Sequence, residues 1–261
     1  SRKTLGGTCL NVGCIPSKSL LNLSENYIKA KKFSSIGIET GKVTLNLSQM
    51  MKIKEKSVTV LTKGVEFLLK KNKVDYIKGK ASLRSNTEII VEENKSKKVY
   101  AAKNIVISTG SLPTSLPEMQ IDEKNIVSST GALSFNQVPK KLIIIGGGYI
   151  GLEMGSVWKR LGSDVTIIEF LDHIITGADM EISKEFLKIL TKQGIIFKLN
   201  SIVTAATAIK NKVVVDFTHN KTAERTRVKT DKVLIAVGRR PNTEGLNLKE
   251  ISIKNDSKGK I

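Results

Sequence analysis

The stretch Lys141–Phe170, KLIIIGGGYIGLEMGSVWKRLGSDVTIIEF, decides how the rest of the chain is read. Residues 141–145 are a short apolar run of the kind buried in a parallel sheet. Gly146, Gly148 and Gly151 follow in G-x-G-x-x-G spacing, and residues 149–162 carry a helical period. A second strand, Asp164 to Ile168, ends on Glu169. Such glycines permit a tight turn and let backbone N–H groups approach a pyrophosphate at the head of the helix. Gly155 gives the helix further room to pack on the sheet. Glu169 stands where an acid accepts from adenosine ribose hydroxyls. A 2′-phosphate there would meet a like charge, and Phe170-Leu171-Asp172-His173 includes no arginine, so the pattern favours NAD over NADP. The bland alternative is a tight strand–helix turn with no ligand; the flanking strands and the terminal acid weigh against it.

Downstream, the periodicity predicts a helix from about Met180 to Gln193, a strand in GIIFKL, and strands within 202–217 and 227–236. VLIAVGRRPN then closes with Gly238 and Pro241 in a loop. Upstream, residues 48–72 read as one long amphipathic helix with an internal glycine, and Val74 to Val106 as strands and hairpins. Ile105 to Ser108 reads as a strand, and Thr109-Gly110-Ser111 as the tight loop after it, either approaching a ligand or joining two domains. His173 and His219, the two histidines, neighbour no nucleophile and read as surface or loop residues.

At the other end, GGTCLNVGCIPSK (Gly6–Lys18) places both cysteines of the chain five positions apart. A single pair is no disulfide framework, and so short a loop removes little unfolded-state entropy. Zinc normally needs four ligands and the histidines lack the paired spacing, so no metal site is expected. A redox pair and two unrelated thiols remain open. Five helical residues rise about 7.5 Å, too far for a bridge, so a bridge between Cys9 and Cys14 needs an irregular turn, which Asn11 and Gly13 tolerate. A helix starts near Pro16, which puts Cys14 beside a helix N-terminus whose partial positive charge favours thiolate. Lys18 adds a second positive charge about one turn on.

The 261 residues suffice for one large or two ordinary domains, and no run of eighteen apolar residues appears. The opening SRKTLGG has no apolar stretch, so it does not read as a signal peptide, and the chain reads as a piece of a longer one. A formal charge of +19 invites a nucleic-acid function. Lysine is spread from end to end without a basic run interleaved with aromatics, so neither nucleic acid nor membrane is expected as a partner.

Taken together, LGGTCLNVGCIPSK, IVISTGS, IVSSTGAL, GGGYIGLEMGSVWKRLGSDVTIIEF and VLIAVGRRPN resemble the pyridine nucleotide–disulfide oxidoreductases along nearly the whole chain. Within that family they look most like the members that oxidise dihydrolipoamide. The resemblance implies an α/β fold with two Rossmann-like nucleotide-binding domains. The FAD domain would be incomplete, over residues 1–112 with the redox disulfide, and the NAD domain complete, over 113–241. Residues 242–261 would begin the return to the central domain, with the interface domain missing. Cys9 would be the interchange thiol and Cys14 the thiol facing the flavin, with Lys18 near the reactive edge of FAD and Glu153 its ionic partner. Thr109, Gly110, Ser111 and Ala81 would touch FAD. Gly146, Gly147, Gly148, Tyr149, Ile150, Gly151, Leu152, Glu153, Glu169, Val203 and Gly238 would meet NAD. The implied reaction is oxidation of dihydrolipoamide on the lipoyl domain of a 2-oxo-acid dehydrogenase complex, with NAD reduced to NADH. The complete enzyme would be a homodimer in the bacterial cytoplasm or mitochondrial matrix. The motif that grips FAD pyrophosphate would precede Ser1, and the His–Glu base pair would follow Ile261, so this chain alone is expected to bind FAD poorly and turn over little. The rivals are another disulfide reductase of the family, acting on mercuric ion or glutathione, and a truncated, non-catalytic NAD-binding fragment.

Overall fold

The computed structural model describes residues 4–94 and 96–261; Ser1–Lys3, the head of the SRKTLGG stretch, and Lys95 lie outside the described residues. In chain order come α1 (Gly7–Val12), α2 (Cys14–Lys31) and α3 (Leu47–Lys71). The strands β1 (Lys80–Leu83), β2 (Glu88–Glu93) and β3 (Ser96–Ala101) follow, and then β4 (Ser111–Pro113). Next come β5 (Ile126–Val127), α4 (Ser129–Ala132), β6 (Lys141–Ile145), α5 (Tyr149–Leu161), β7 (Asp164–Ile168), α6 (Met180–Lys192) and β8 (Ile196–Lys198). The chain continues through β9 (Ser201–Ile209), β10 (Lys212–His219), β11 (Arg225–Thr230), β12 (Lys232–Ile235) and β13 (Arg239–Pro241). No helix among the described residues is long and apolar enough to cross a membrane.

The chain forms two compact units. The larger comprises Cys9–Thr59 and Pro113–Gly238; the smaller comprises the residues up to Thr8, Val60–Leu112 and Arg239–Ile261. At the centre of the larger unit is a five-stranded parallel sheet in the order β5-β12-β6-β7-β8. Alternate residues of the sheet feed two cores, which is why KLIII is apolar throughout. Leu142, Ile144, Val165, Ile167 and Leu234 face α5, whose Leu152, Met154, Val157 and Trp158 cover them, with Leu20 of α2 and Met50 of α3 in the same cluster. Ile143, Ile145, Ile168, Val233 and Ile235 face the opposite way and are covered by Val213, Val215 and Phe217. Those three belong to β10, the middle strand of an antiparallel β11-β10-β9 sheet. The strands read within 202–217 are the hairpin β9–β10, and those within 227–236 are β11 and β12, which serve two different sheets.

Local chemistry sets the helix ends. Asp179 caps α6, its carboxylate accepting from the N–H groups of Glu181 (2.8 Å) and Ile182 (3.4 Å). Gly162 ends α5 in the left-handed conformation. Lys54 of α3 is buried, and its ammonium donates to the carbonyl of Leu133 at 2.7 Å, tying α3 to the end of α4.

In the smaller unit, β1, β2 and β3 form an antiparallel meander. Leu83, Leu246 and Leu248 make its small core, with Ile105 and Ile107 packed against them. Ile105–Ser108 is not a strand: it carries no regular structure, Val106 is 85% exposed, and no strand pairs with it among the described residues. Its alternation is that of a strand, yet a ladder exists only where a neighbour takes the backbone N–H and C=O groups. Pro241, expected in a loop, lies in the short strand β13, in a two-stranded ribbon with β4.

Candidate functional site

The glycine-rich turn sits at the carboxyl end of β6. From β6 the chain winds through α5 to β7 and through α6 to β8 on one side, whereas β12 pairs on the other. The turn therefore lies at the point where strand order reverses, the crevice in which open α/β sheets bind ligands.

Its glycines have different duties. Gly146 has φ 107, and a side chain there would lie 2.5 Å from the carbonyl oxygen of Ala236, just beyond β12. A Cβ on Gly151 would run into the carbonyl of Gly146, and one on Gly155 would press on Ile144 and Ile167 at 3.3 Å. Both therefore let the helix close on the sheet. Gly148 is the exception, because a Cβ there meets nothing within 4 Å. It is also the N-cap of α5, which has no side-chain cap. Compared with α6, closed by Asp179, α5 presents its leading N–H groups and the positive end of its dipole to open space, as a pyrophosphate requires.

Glu169 and the loop after it hold the turn. One carboxylate oxygen of Glu169 accepts from Gly147 N–H at 2.6 Å and the other from Leu171 N–H at 2.9 Å. The carbonyl of Gly147 in turn accepts from Ile175 N–H at 3.0 Å. Ile175 has φ 50, a costly conformation for a β-branched residue. Glu169 thus fixes the turn while each oxygen keeps a further lone pair for a hydroxyl. Tyr149 is exposed, Ile150 half-buried and Leu152 buried in the core beneath α5. Val203 is half-buried in β9 against the second core, and Gly238 (φ 126) accepts from Thr114 N–H at 3.0 Å.

The thiols lie at the other end of the larger unit's sequence. α1 and α2 are interrupted at Gly13, the N-cap of α2, so the irregularity between the cysteines is at Gly13 whereas Asn11 stays helical. Cys9 and Cys14 are free and exposed. Hydrogen bonding to the Cys14 side chain, with desolvation and the charge of Cys14, pushes the Cys9 thiol up, opposed by the Cys14 backbone and by Lys18. Lys18 Nζ lies 2.5 Å from Glu153 Oε1. The hydrogen bond to Glu153 raises the Lys18 ammonium, with the nearby cysteines adding to the effect. Sequence reasoning did not single out Ser17, whose hydroxyl donates to Glu153 Oε2 at 2.5 Å. One carboxylate from α5 is therefore gripped by two consecutive residues of α2.

Thr109, Gly110, Ser111 and Ala81 belong to the smaller unit. The loop is exposed at Thr109 and Gly110, with Gly110 at φ 76. It is held from behind: Asn242 donates its N–H to Gly110 O (3.0 Å) and its side-chain amide to Thr109 O (3.2 Å). Arg239 donates to Ser111 Oγ (2.8 Å) and Ser111 O (2.6 Å). Arg239 and Asn242 are further residues the sequence did not flag, although both lie in or beside VLIAVGRRPN. Ala81 is exposed on β1, opposite Val91.

The family model described as pyridine nucleotide-disulphide oxidoreductase matches residues 3–261. The chain belongs to that family. Among curated relatives of this oxidoreductase chain is dihydrolipoyl dehydrogenase 3 of Pseudomonas putida, 54% identical over 100% of this chain and 56% of the relative. The mitochondrial dihydrolipoyl dehydrogenase of Pisum sativum is 48% identical over 100% of this chain and 52% of its own length. Among solved oxidoreductases, the Cu(II) complex of the HOCl-induced flavoprotein disulfide reductase RclA from Escherichia coli superposes with a TM-score of 0.83 at 28% identity, covering 98% of this chain and 53% of that one. The chain spans about half the length of the curated relatives it matches.

Proposed function

We propose that the protein to which this chain belongs is a dihydrolipoyl dehydrogenase, oxidising protein-bound dihydrolipoamide and reducing NAD+ to NADH. The observation that carries the reading is the thiol pair at the head of α2, one turn from Lys18, which is ion-paired to Glu153 on the helix of the glycine-rich unit. In functional terms residues 1–112 contribute to the FAD side, 113–241 to the NAD side, and 242–261 begin the return to the central domain. The residues present suit NAD: the open N-terminus of α5 at Gly148 takes the pyrophosphate and Glu169 the ribose hydroxyls. The Thr109–Ser111 loop, exposed at Thr109 and Gly110, and the exposed Ala81 suit FAD contacts. Val203 and Gly238 contribute to the NAD side through packing and main chain.

In the oxidised enzyme Cys9 and Cys14 are joined. One thiolate of dihydrolipoamide attacks Cys9 Sγ, breaking the Cys9–Cys14 bond and releasing Cys14. The second lipoamide thiolate attacks the sulfur bonded to Cys9, so that cyclic lipoamide leaves and both cysteines are reduced. As the Cys9–Cys14 bond re-forms, the two electrons leave the thiols, and a flavin held beside Cys14 and Lys18 would supply the relay that delivers them to NAD+ as hydride. Lys18, held by Glu153, places a positive charge beside that exchange. The partner is the lipoyl domain of a 2-oxo-acid dehydrogenase complex, and the complete enzyme is a homodimer in bacterial cytoplasm or mitochondrial matrix. The test uses the complete protein: flavin absorbance after purification, and NADH formed from dihydrolipoamide. Cys9→Ser and Cys14→Ser should each abolish turnover. Faster NADPH-dependent reduction of glutathione disulfide or mercuric ion would overturn the assignment in favour of a related reductase.

A further inference from the structure

We propose that Ser17 is a positioning residue: its hydroxyl fixes the Glu153 carboxylate so that Oε1 faces the Lys18 ammonium, and so sets where Lys18 stands. Ser17 is 5% exposed, and its Oγ–Oε2 bond joins residues 136 apart in sequence. The Lys18 side chain is 63% exposed, and its ion pair to Glu153 holds the end of a flexible four-carbon stem. Consecutive helical residues point about 100° apart, so both reach one carboxylate only if Glu153 lies over the edge between them. With a separate donor on each oxygen the carboxylate cannot rotate, and the direction of Oε1 becomes a property of the fold. Without Ser17, Glu153 is free to turn toward water. A second link between the same helices, Arg160 Nη1 to Leu21 O at 3.3 Å, is one turn further along α2 and touches neither Glu153 nor Lys18.

The inference takes its significance from the redox reading of Lys18 but not its test, which needs no flavin, nucleotide or substrate. Acylation of Lys18 by an N-hydroxysuccinimide ester, followed by peptide mass across pH 7–10, is measured on this chain and its variants. Ser17→Ala should speed Lys18 labelling about threefold, a fraction of one hydrogen bond to a charged group because the Ser17 bond reaches Lys18 only through Glu153, and move the profile to lower pH. Ser17→Thr, which keeps the hydroxyl, should recover most of the native profile. Arg160→Met should lower thermal stability and leave the Lys18 profile in place. In a Glu153→Gln background, Ser17→Ala should add nothing. A Ser17→Ala profile that overlays the native one, or an equal shift in Arg160→Met, would mean that Ser17 only fills space, and would overturn the proposal.

Discussion

Two apolar runs in this chain end in a glycine turn, and they fold to opposite outcomes. KLIIIGGG becomes β6, paired on both sides within the parallel sheet, buried on both faces, its turn closed against Ala236 and the head of α5. NIVISTGS stays irregular, rests Ile105 and Ile107 on a small core, leaves Val106 in solvent, and ends in a loop tied by Asn242 and Arg239. Side-chain pattern alone does not distinguish them. The difference is who receives the backbone hydrogen bonds, and only β6 has neighbours on both edges.

Substitutions should break that contrast in graded steps. Ile144→Ala opens a cavity where both sheet neighbours and α5 meet, and should cost about 2–5 kcal/mol, read by urea denaturation of the single tryptophan, Trp158. Val106→Ala should stay within about 0.5 kcal/mol by the same criterion. Gly151→Ala drives a methyl onto the Gly146 carbonyl and should cost about 1–3 kcal/mol. Gly148→Ala has room for its methyl and should lose less than about 1 kcal/mol, yet weaken NAD binding by at least about tenfold in calorimetry. Equal stability losses at the two positions would dissolve the distinction between closed and open glycines. Gly110→Ala pays for positive φ without a clash, about 1–2 kcal/mol, detected as faster exchange of the Asn242 amide bonded to Gly110.

The smallest effect is electrostatic. A thiol whose pKa is raised on folding contributes stability that is intact below its ordinary value of 9.0 and is lost as pH climbs through the folded value. Cys9 should therefore alkylate with iodoacetamide at pH 8 more slowly than an unperturbed thiol, and Cys14→Ala should bring its rate up. No change in Cys14→Ala would mean that Cys14 is not what raises the Cys9 thiol.

What the sequence determined by itself was local: the strand–glycine–helix–strand–acid order of 141–169, the long helix read over 48–72, the helix from about Met180, and a glycine able to break the chain between the cysteines. Each follows from side-chain period or the φ freedom of glycine, which act within a few residues. The tertiary structure decided the rest. It brought α2 beside α5 so that Ser17 and Lys18 share Glu153, set Ile175 against the glycine turn, and left Ile105–Ser108 without a ladder. Those outcomes join residues far apart in sequence, and a hydroxyl or a strand edge carries no local mark of the partner it will meet.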